Sequence, residues 1–323
     1  MVAIMRVFMC GIFLVSMQGL SLRPTQAGLS TSSCKMPGWF PASFGLKDHT
    51  IFWHEGYYYL MSNFMPGEKF FAYARSTDMC TWEDLTPVLG ERVAGEWDEF
   101  GVWAPYVYKE GSTYYAYYTG VALNVTQSIM LATTTTPQDP GSWEPQGMIF
   151  QPDHIGMVWR EGEWADCRDP MVLKIGGLYY LYYTGQDRGG GIIGVATSSY
   201  PSGPWFDWGS IIPPLEGAMA ESVTVVPYSG VYYLFYHHTG VEEFFQTGAT
   251  PVGPWQEAYP FRPGWAHEIW QAVHGEWYTS HLRDYAVYIS PLTWDSFYLP
   301  PHPIIGPDIY HSIMLPIISQ GRN

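Results

Sequence analysis

The sequence predicts an all-β protein, a five-bladed β-propeller whose four-stranded blades surround a central axis. Composition, a recurring aromatic pair and a tryptophan behind each pair carry this expectation. Aromatic residues make up 17% of the 323 residues, and Gly 34 and Pro 26 add many turns. Charged residues are only 14%, against about 25% in ordinary soluble proteins. So many aromatics can bury a core that offsets chain entropy, which excludes disorder. Tyr, Trp, Thr and Gly in place of Ala, Leu, Glu and Lys argue against a helical bundle.

The repeat defines the blades. A glycine and an aromatic pair recur as Gly56 with Tyr58-Tyr59, Gly111 with Tyr114-Tyr115, Gly177 with Tyr179-Tyr180, Gly230 with Tyr232-Tyr233, and Gly275 with Trp277-Tyr278. Trp82, Trp143, Trp205, Trp255 and Trp294 follow, most of them in similar Pro/Gly turns. Between pair and Trp lies a further strand pattern, such as Phe71–Ser76 or Ile192–Thr197. Each unit therefore reads as strand, hairpin turn, strand, strand, turn and Trp-bearing strand. Tyr pairs favour strands in any β fold, but five pairs in step with five tryptophans call for five similar units. Such blades bury their faces by packing around an axis.

Ahead of the first unit, Met1–Arg6 carries one positive charge, Val7–Leu20 is mostly apolar, and Pro24-Thr25-Gln26-Ala27 offers a cleavage site. This is the pattern of a secretory signal peptide over residues 1–27, leaving 28–323 as a single propeller domain, secreted to the extracellular space or periplasm. A buried N-terminal helix or an uncleaved anchor is the alternative. With Cys10 removed, Cys34, Cys80 and Cys167 remain, enough for one intramolecular disulfide of undetermined pairing. The net charge of −15 repels phosphate backbones and argues against a nucleic-acid partner. No run of 18 apolar residues follows the N-terminus, so no membrane span is expected in the body of the chain.

Counting back ten residues from the first aromatic of each pair reaches Asp48, Ala104, Asp169 and His267, and counting back eleven reaches Glu221. These positions start the first strand of each unit, the one that lines a propeller axis, so they should converge at one mouth. A single Asp there reads as a turn or cap residue, but acids sharing a register suggest more. A carboxylate cluster raises its own proton affinity, and it persists where it binds a cation or moves protons. Glycoside hydrolysis uses such a set: one carboxylic acid protonates the leaving oxygen and one carboxylate activates water or attacks carbon.

The segments Asp48-His49-Thr50-Ile51, Val102-Trp103-Ala104-Pro105, Arg168-Asp169-Pro170 and Glu221-Ser222 resemble the motifs of glycoside hydrolase family 43 and its relatives in family 32. The resemblance spans roughly residues 40–295 and implies a five-bladed propeller. It implies Asp48 as general base, Asp169 as the residue that tunes and orients the acid, and Glu221 as general acid. It also implies that His267 matches a central histidine that, in some members, helps hold a calcium or water on the axis. The Trp-Ala-Pro unit favours family 43, and the Asn-Asp-Pro-Asn and Glu-Cys motifs of family 32 are absent. Family 43 membership implies inversion, with working carboxylates about 6.5–9.5 Å apart, while a family 32 relationship implies retention at about 5–5.5 Å.

Trp53, Trp103 and Trp159 are candidates to stack on a sugar ring, with core packing the stronger alternative for Trp53. Arg168 and Arg283 are candidates for sugar hydroxyls or a carboxylate, and a solvated loop position is the alternative for Arg283. Of His237 and His238, adjacent on a strand, only one can face the site; His238 is the candidate. Gly189–Gly194 contains G-x-G-x-x-G but leads into a strand, so it reads as a hairpin loop and not a dinucleotide site.

The expected function is that of a secreted glycosidase acting on a poly- or oligosaccharide, arabinose- or xylose-type, with carbohydrate as partner and no required cofactor. A structural calcium at His267 is the one ion considered. The alternatives are a retaining fructan-type hydrolase, a glycoside phosphorylase and a non-catalytic carbohydrate-binding propeller. A phosphorylase needs a basic phosphate pocket, for which 15 Lys and Arg leave few candidates. A binding module need not keep all three acids.

Overall fold

The computed structural model describes residues 45–306 apart from 91, 284, 285, 297 and 299. The expected signal peptide, Cys34 and the end of the tail lie outside the described residues. Twenty strands form five four-stranded antiparallel sheets, each from four consecutive strands. The first blade comprises β1 (Gly45–His54), β2 (Tyr57–Met65), β3 (Phe71–Ser76) and β4 (Glu83–Val88). The inner strands of the other blades are β5 (Gly101–Glu110), β9 (Cys167–Ile175), β13 (Ala220–Tyr228) and β17 (Trp265–Gln271). Each inner strand touches the next, and β17 touches β1, which closes a ring of five. The all-β, five-bladed propeller expected from the repeat is the fold observed.

The aromatic pairs lie on the second strand of every blade, behind a hairpin glycine whose φ runs from +58° to +97°. L side chains disfavour that region, which explains the recurring Gly. The paired aromatics and their neighbours fill the space between blades: Tyr59, Tyr114, Tyr117, Tyr118, Tyr182, Tyr183 and Tyr233 are all fully buried. Their phenols need partners in a dry core. Tyr73, Tyr117, Tyr182 and Tyr233 each donate to a proline carbonyl of the following blade (Pro137, Pro201, Pro251 and Pro301) at 2.6–2.8 Å.

The recurring tryptophans sit slightly off the expected place. Trp82, Trp143 and Trp205 immediately precede the fourth strand of their blades, and Trp294 lies on the third strand of the last. The rings pack in or against the apolar clusters, and Trp294 pairs with Pro303 within its sheet. Gly190 and Gly191 open β11 (Gly190–Ser198) after a hairpin turn, as expected. Cys80 is disulfide-bonded, and Cys167 is a buried free thiol. Among the described residues no helix is long and apolar enough to cross a membrane.

Candidate active site

Every inner strand carries the same defect. Two of its residues oppose one on the second strand: Lys47-Asp48 against Asn63, Ala104-Pro105 against Tyr118, Asp169-Pro170 against Tyr183, Ser222-Val223 against Tyr236, and Ala266-His267 against His281. These β-bulges bend the strand and re-aim its side chains. The first bulge residue takes a left-handed backbone in four blades, with φ of +42° at Ala104, +53° at Asp169, +55° at Ser222 and +49° at Ala266. Such strain at non-glycine residues clusters at functional sites.

The bulges surround a pocket on the axis with about 340 Å³ of empty space, open solvent included. Asp48, His49, Pro105, Tyr106, Asp169, Ser222, His267 and Glu268 contribute to its wall. The structure thus brings Asp48, Asp169 and His267 together. Glu221 precedes the fourth bulge and joins the group through Arg168, whose guanidinium pairs with it. The expected common register is offset: Asp48 and His267 are second bulge residues, Asp169 and Ala104 are first, and Glu221 comes one before. Blade 1 has one more residue between bulge and hairpin, and blade 5 has a longer turn, so a count back from the aromatic pair lands differently.

Burial and the Asp169 charge push the Asp48 carboxyl up to about 7, with Glu221 and Glu68 adding to the rise and Lys47 opposing it. Asp169 is raised too, first by burial and then by Glu221, against the pull of Arg168. Its Oδ2 accepts from the Ser222 N–H at 3.0 Å and the Thr184 hydroxyl at 3.2 Å, and its own N–H donates to Thr119 Oγ1 at 3.2 Å. Asp169 therefore ties the bulge beside Glu221 to the neighbouring blade. Arg168 also binds Asp166 and Gln127, so three acceptors fix its direction.

Several residues of the site escaped the sequence reading. Glu268 lines the pocket, and burial, then the Asp48 charge, raise its carboxyl well above the usual range. Asp166 is buried and holds Arg168, which the Arg-Asp-Pro motif alone does not reveal. Lys47 lies in the first bulge, its ammonium 3.0 Å from Glu68 and over the Trp103 ring. Lys47 and Glu268 each adjoin a residue singled out, Asp48 and His267; a search for charged neighbours of bulge residues would have found them.

Other candidates fall elsewhere. Trp53 packs in the core between blades 5 and 1, edge-on to Tyr58 at 4.7 Å, at the opposite end of β1 from Asp48. Trp103 stays at the site edge, its indole donating to Glu68 at 2.6 Å. Trp159 does not line the pocket; its indole donates to the Gln127 carbonyl at 2.7 Å, next to the Arg168 partner. His237, not His238, is paired with Glu221 across the strands, and it faces Glu243. Cross-strand partners share a face, so the neighbouring His238 points the other way, toward Phe244. Arg283 is exposed and covers the Tyr288 ring instead of lining the pocket.

His49 and His267 share this pocket with the acids. Burial first, and then the other histidines, push His49 down to about 3. Burial likewise lowers His267 to about 4, helped by His237 and His281. Both ring nitrogens of His49 and of His267 are buried without a partner. Calcium takes six to eight oxygen ligands; the His267 side chain offers nitrogens, and among the described residues no group of three His, Cys, Asp or Glu is arranged to hold a metal. The donor set at His267 does not fit direct calcium coordination. It suits buried water, which satisfies such nitrogens.

The ring has five blades, with Asp48 and Asp169 in the wall of its axial pocket and Glu221 joined to them through Arg168. Residues 43–159 match Glycosyl hydrolases family 43. Over 127 residues the chain is 31% identical to arabinan endo-1,5-alpha-L-arabinosidase B of Emericella nidulans, a match covering 38% of this chain and 28% of that relative. A thermostable family-43 glycoside hydrolase superimposes with a TM-score of 0.66 at 18% identity, covering 87% of this chain and 98% of that one. Cellvibrio cellulosa alpha-L-arabinanase complexed with arabinohexaose does so at 0.64 and 16% identity, covering 81% and 95%. Over residues 43–159 the chain is thus similar to the family 43 glycoside hydrolases, and that stretch contains two of the motifs named above, Asp48-His49-Thr50-Ile51 and Val102-Trp103-Ala104-Pro105.

Proposed function

We propose that the protein is a secreted glycoside hydrolase that cleaves arabinose-type polysaccharide with inversion. The convergence of Asp48, Asp169 and Glu221 on one axial mouth is the observation that carries this reading. Asp48, whose raised proton affinity suits a base near neutral pH, takes the proton of a water that attacks the anomeric carbon. Glu221, aimed by Arg168, gives its proton to the leaving oxygen. Asp169 holds the Ser222 N–H and so fixes the backbone beside the acid. Proton transfers carry the whole reaction, so no cofactor is required. The likeness to an arabinan-cleaving relative supports the sugar class, and the disulfide at Cys80 supports export to an oxidising compartment.

The test is a screen of arabinan, xylan and aryl-glycosides, with proton NMR on the first product anomer. Arabinan cleavage with an inverted anomer is expected. Retention would shift Asp48 to a nucleophile, and no cleavage of any glycoside would overturn the reading. N-terminal sequencing of the exported protein, expected to start near residue 28, checks secretion.

A further inference from the structure

The turn between β2 and β3 reaches across to the second blade at the mouth. Glu68 stands there with a left-handed backbone, φ +43°. Its carbonyl accepts the Val102 N–H at 2.7 Å, and a Cβ on Gly101 would approach that carbonyl to 3.2 Å, so glycine permits the closeness. One carboxylate oxygen of Glu68 takes the Lys47 ammonium at 3.0 Å, and the other takes the Trp103 indole N–H at 2.6 Å. The ammonium lies 5.6 Å from the centre of the Trp103 ring. The backbone carbonyl of Lys47 is itself held by the Ser62 hydroxyl. All three side chains are partly buried.

We propose that Glu68 is a positioning residue of the active site, which fixes the Lys47 cation beside the Asp48 carboxylate and the Trp103 ring at the sugar's edge. This rests on the reading of Asp48 as the general base. The groups facing Asp48 are Lys47 on its own strand, Glu68 from the adjacent turn, Asp169 from β9, Glu221 from β13 and Glu268 from β17. Lys47 is the one cation among them. Glu68 both adds a negative charge near Asp48 and holds the Lys47 ammonium in place.

The two partners should then move the acid limb of the rate profile in opposite directions. Glu68→Gln removes an anion near Asp48 while keeping an acceptor for the ammonium, so the limb moves to lower pH. Lys47→Met removes the cation, so the limb moves to higher pH, each by on the order of one unit. The glutamine keeps an acceptor for the Trp103 indole and should leave KM near the parent value, whereas Glu68→Ala should raise KM severalfold. The measurement is kcat/KM against pH on 4-nitrophenyl α-L-arabinofuranoside, with carbon NMR titration of the Asp48 carboxyl reading the same shifts without turnover. Shifts of the same sign, or none in either variant, would overturn the proposal. Asp48→Asn separates the two ideas: if that variant keeps turnover and its acid limb, the reading of Asp48 fails, whatever Glu68 does.

Discussion

Blades 1, 3 and 4 and blades 2 and 5 share one backbone device and differ in what it presents. All five inner strands bulge at the same level, two residues against one. In the first set the bulge or the residue before it brings Asp48, Asp169 or Glu221. In the second it brings Ala104-Pro105 or Ala266-His267. The bulge is therefore a property of the ring, which must turn five strands into a narrow axis. The chemistry is a choice of side chain on that common scaffold, as sites grafted on folds generally are.

That comparison breaks first at the acids. Glu221→Gln should leave the fold intact and lower the hydrolysis rate by about 10²–10⁴-fold, the usual contribution of a positioned acid. Circular dichroism and kcat on an aryl-glycoside check this, and an unchanged rate would remove Glu221 from the machinery.

Asp48→Asn sharpens the comparison through stability. The folded carboxyl is held up to about 7 by burial and by Asp169, against an ordinary value of 3.8. Between these values the folded state binds the extra proton, so its stability falls as pH rises. The asparagine variant should melt at a higher temperature than the parent at pH 8, with the difference closing toward pH 4. Equal melting temperatures at both pH values would show that Asp48 is not strained by its neighbours. The smallest effect belongs to blade 2, whose bulge carries no acid. Ala104→Gly removes a Cβ from a left-handed position, relieving about 1 kcal/mol. It should raise the melting temperature by a few degrees and leave kcat/KM unchanged; a lowered kcat/KM would mean that the second bulge also shapes the site.

Much of the fold was legible because it repeats. The Tyr and Trp residues that fill the gaps between blades recur with the blades, so their spacing counts them. Asp48, Asp169 and Glu221 were legible for the same reason, being tied to the repeat within one residue. The one-residue offsets arose where a hairpin or strand changed length. Parity decided the histidines: adjacent strand residues face opposite ways, and only the pairing of Glu221 with His237 says which way. Trp53 was left between stacking and core packing, the latter favoured, because an inner strand has a wet end and a packed end; it occupies the packed one. Glu68 and Asp166 could not be found by repeat reasoning, since each acts across a turn or loop that belongs to one blade alone.

The tyrosine-to-proline links described above join blade 1 to 2, 2 to 3, 3 to 4 and 4 to 5, each worth roughly 1 kcal/mol as a hydrogen bond. Among the described residues every blade is built from consecutive strands, and none is exchanged between last and first. The remaining joint rests on an interdigitated layer that includes Leu46, Ile51, Leu282 and Ile289. Asp48 stands on one side of that joint in blade 1, and Glu221 lies beyond it in blade 4, with blade 5 between. Loosening the hoop at its clasp would part Asp48 from Glu221 while each blade stayed folded, so the spacing of the proposed base and acid is guarded by hydrocarbon.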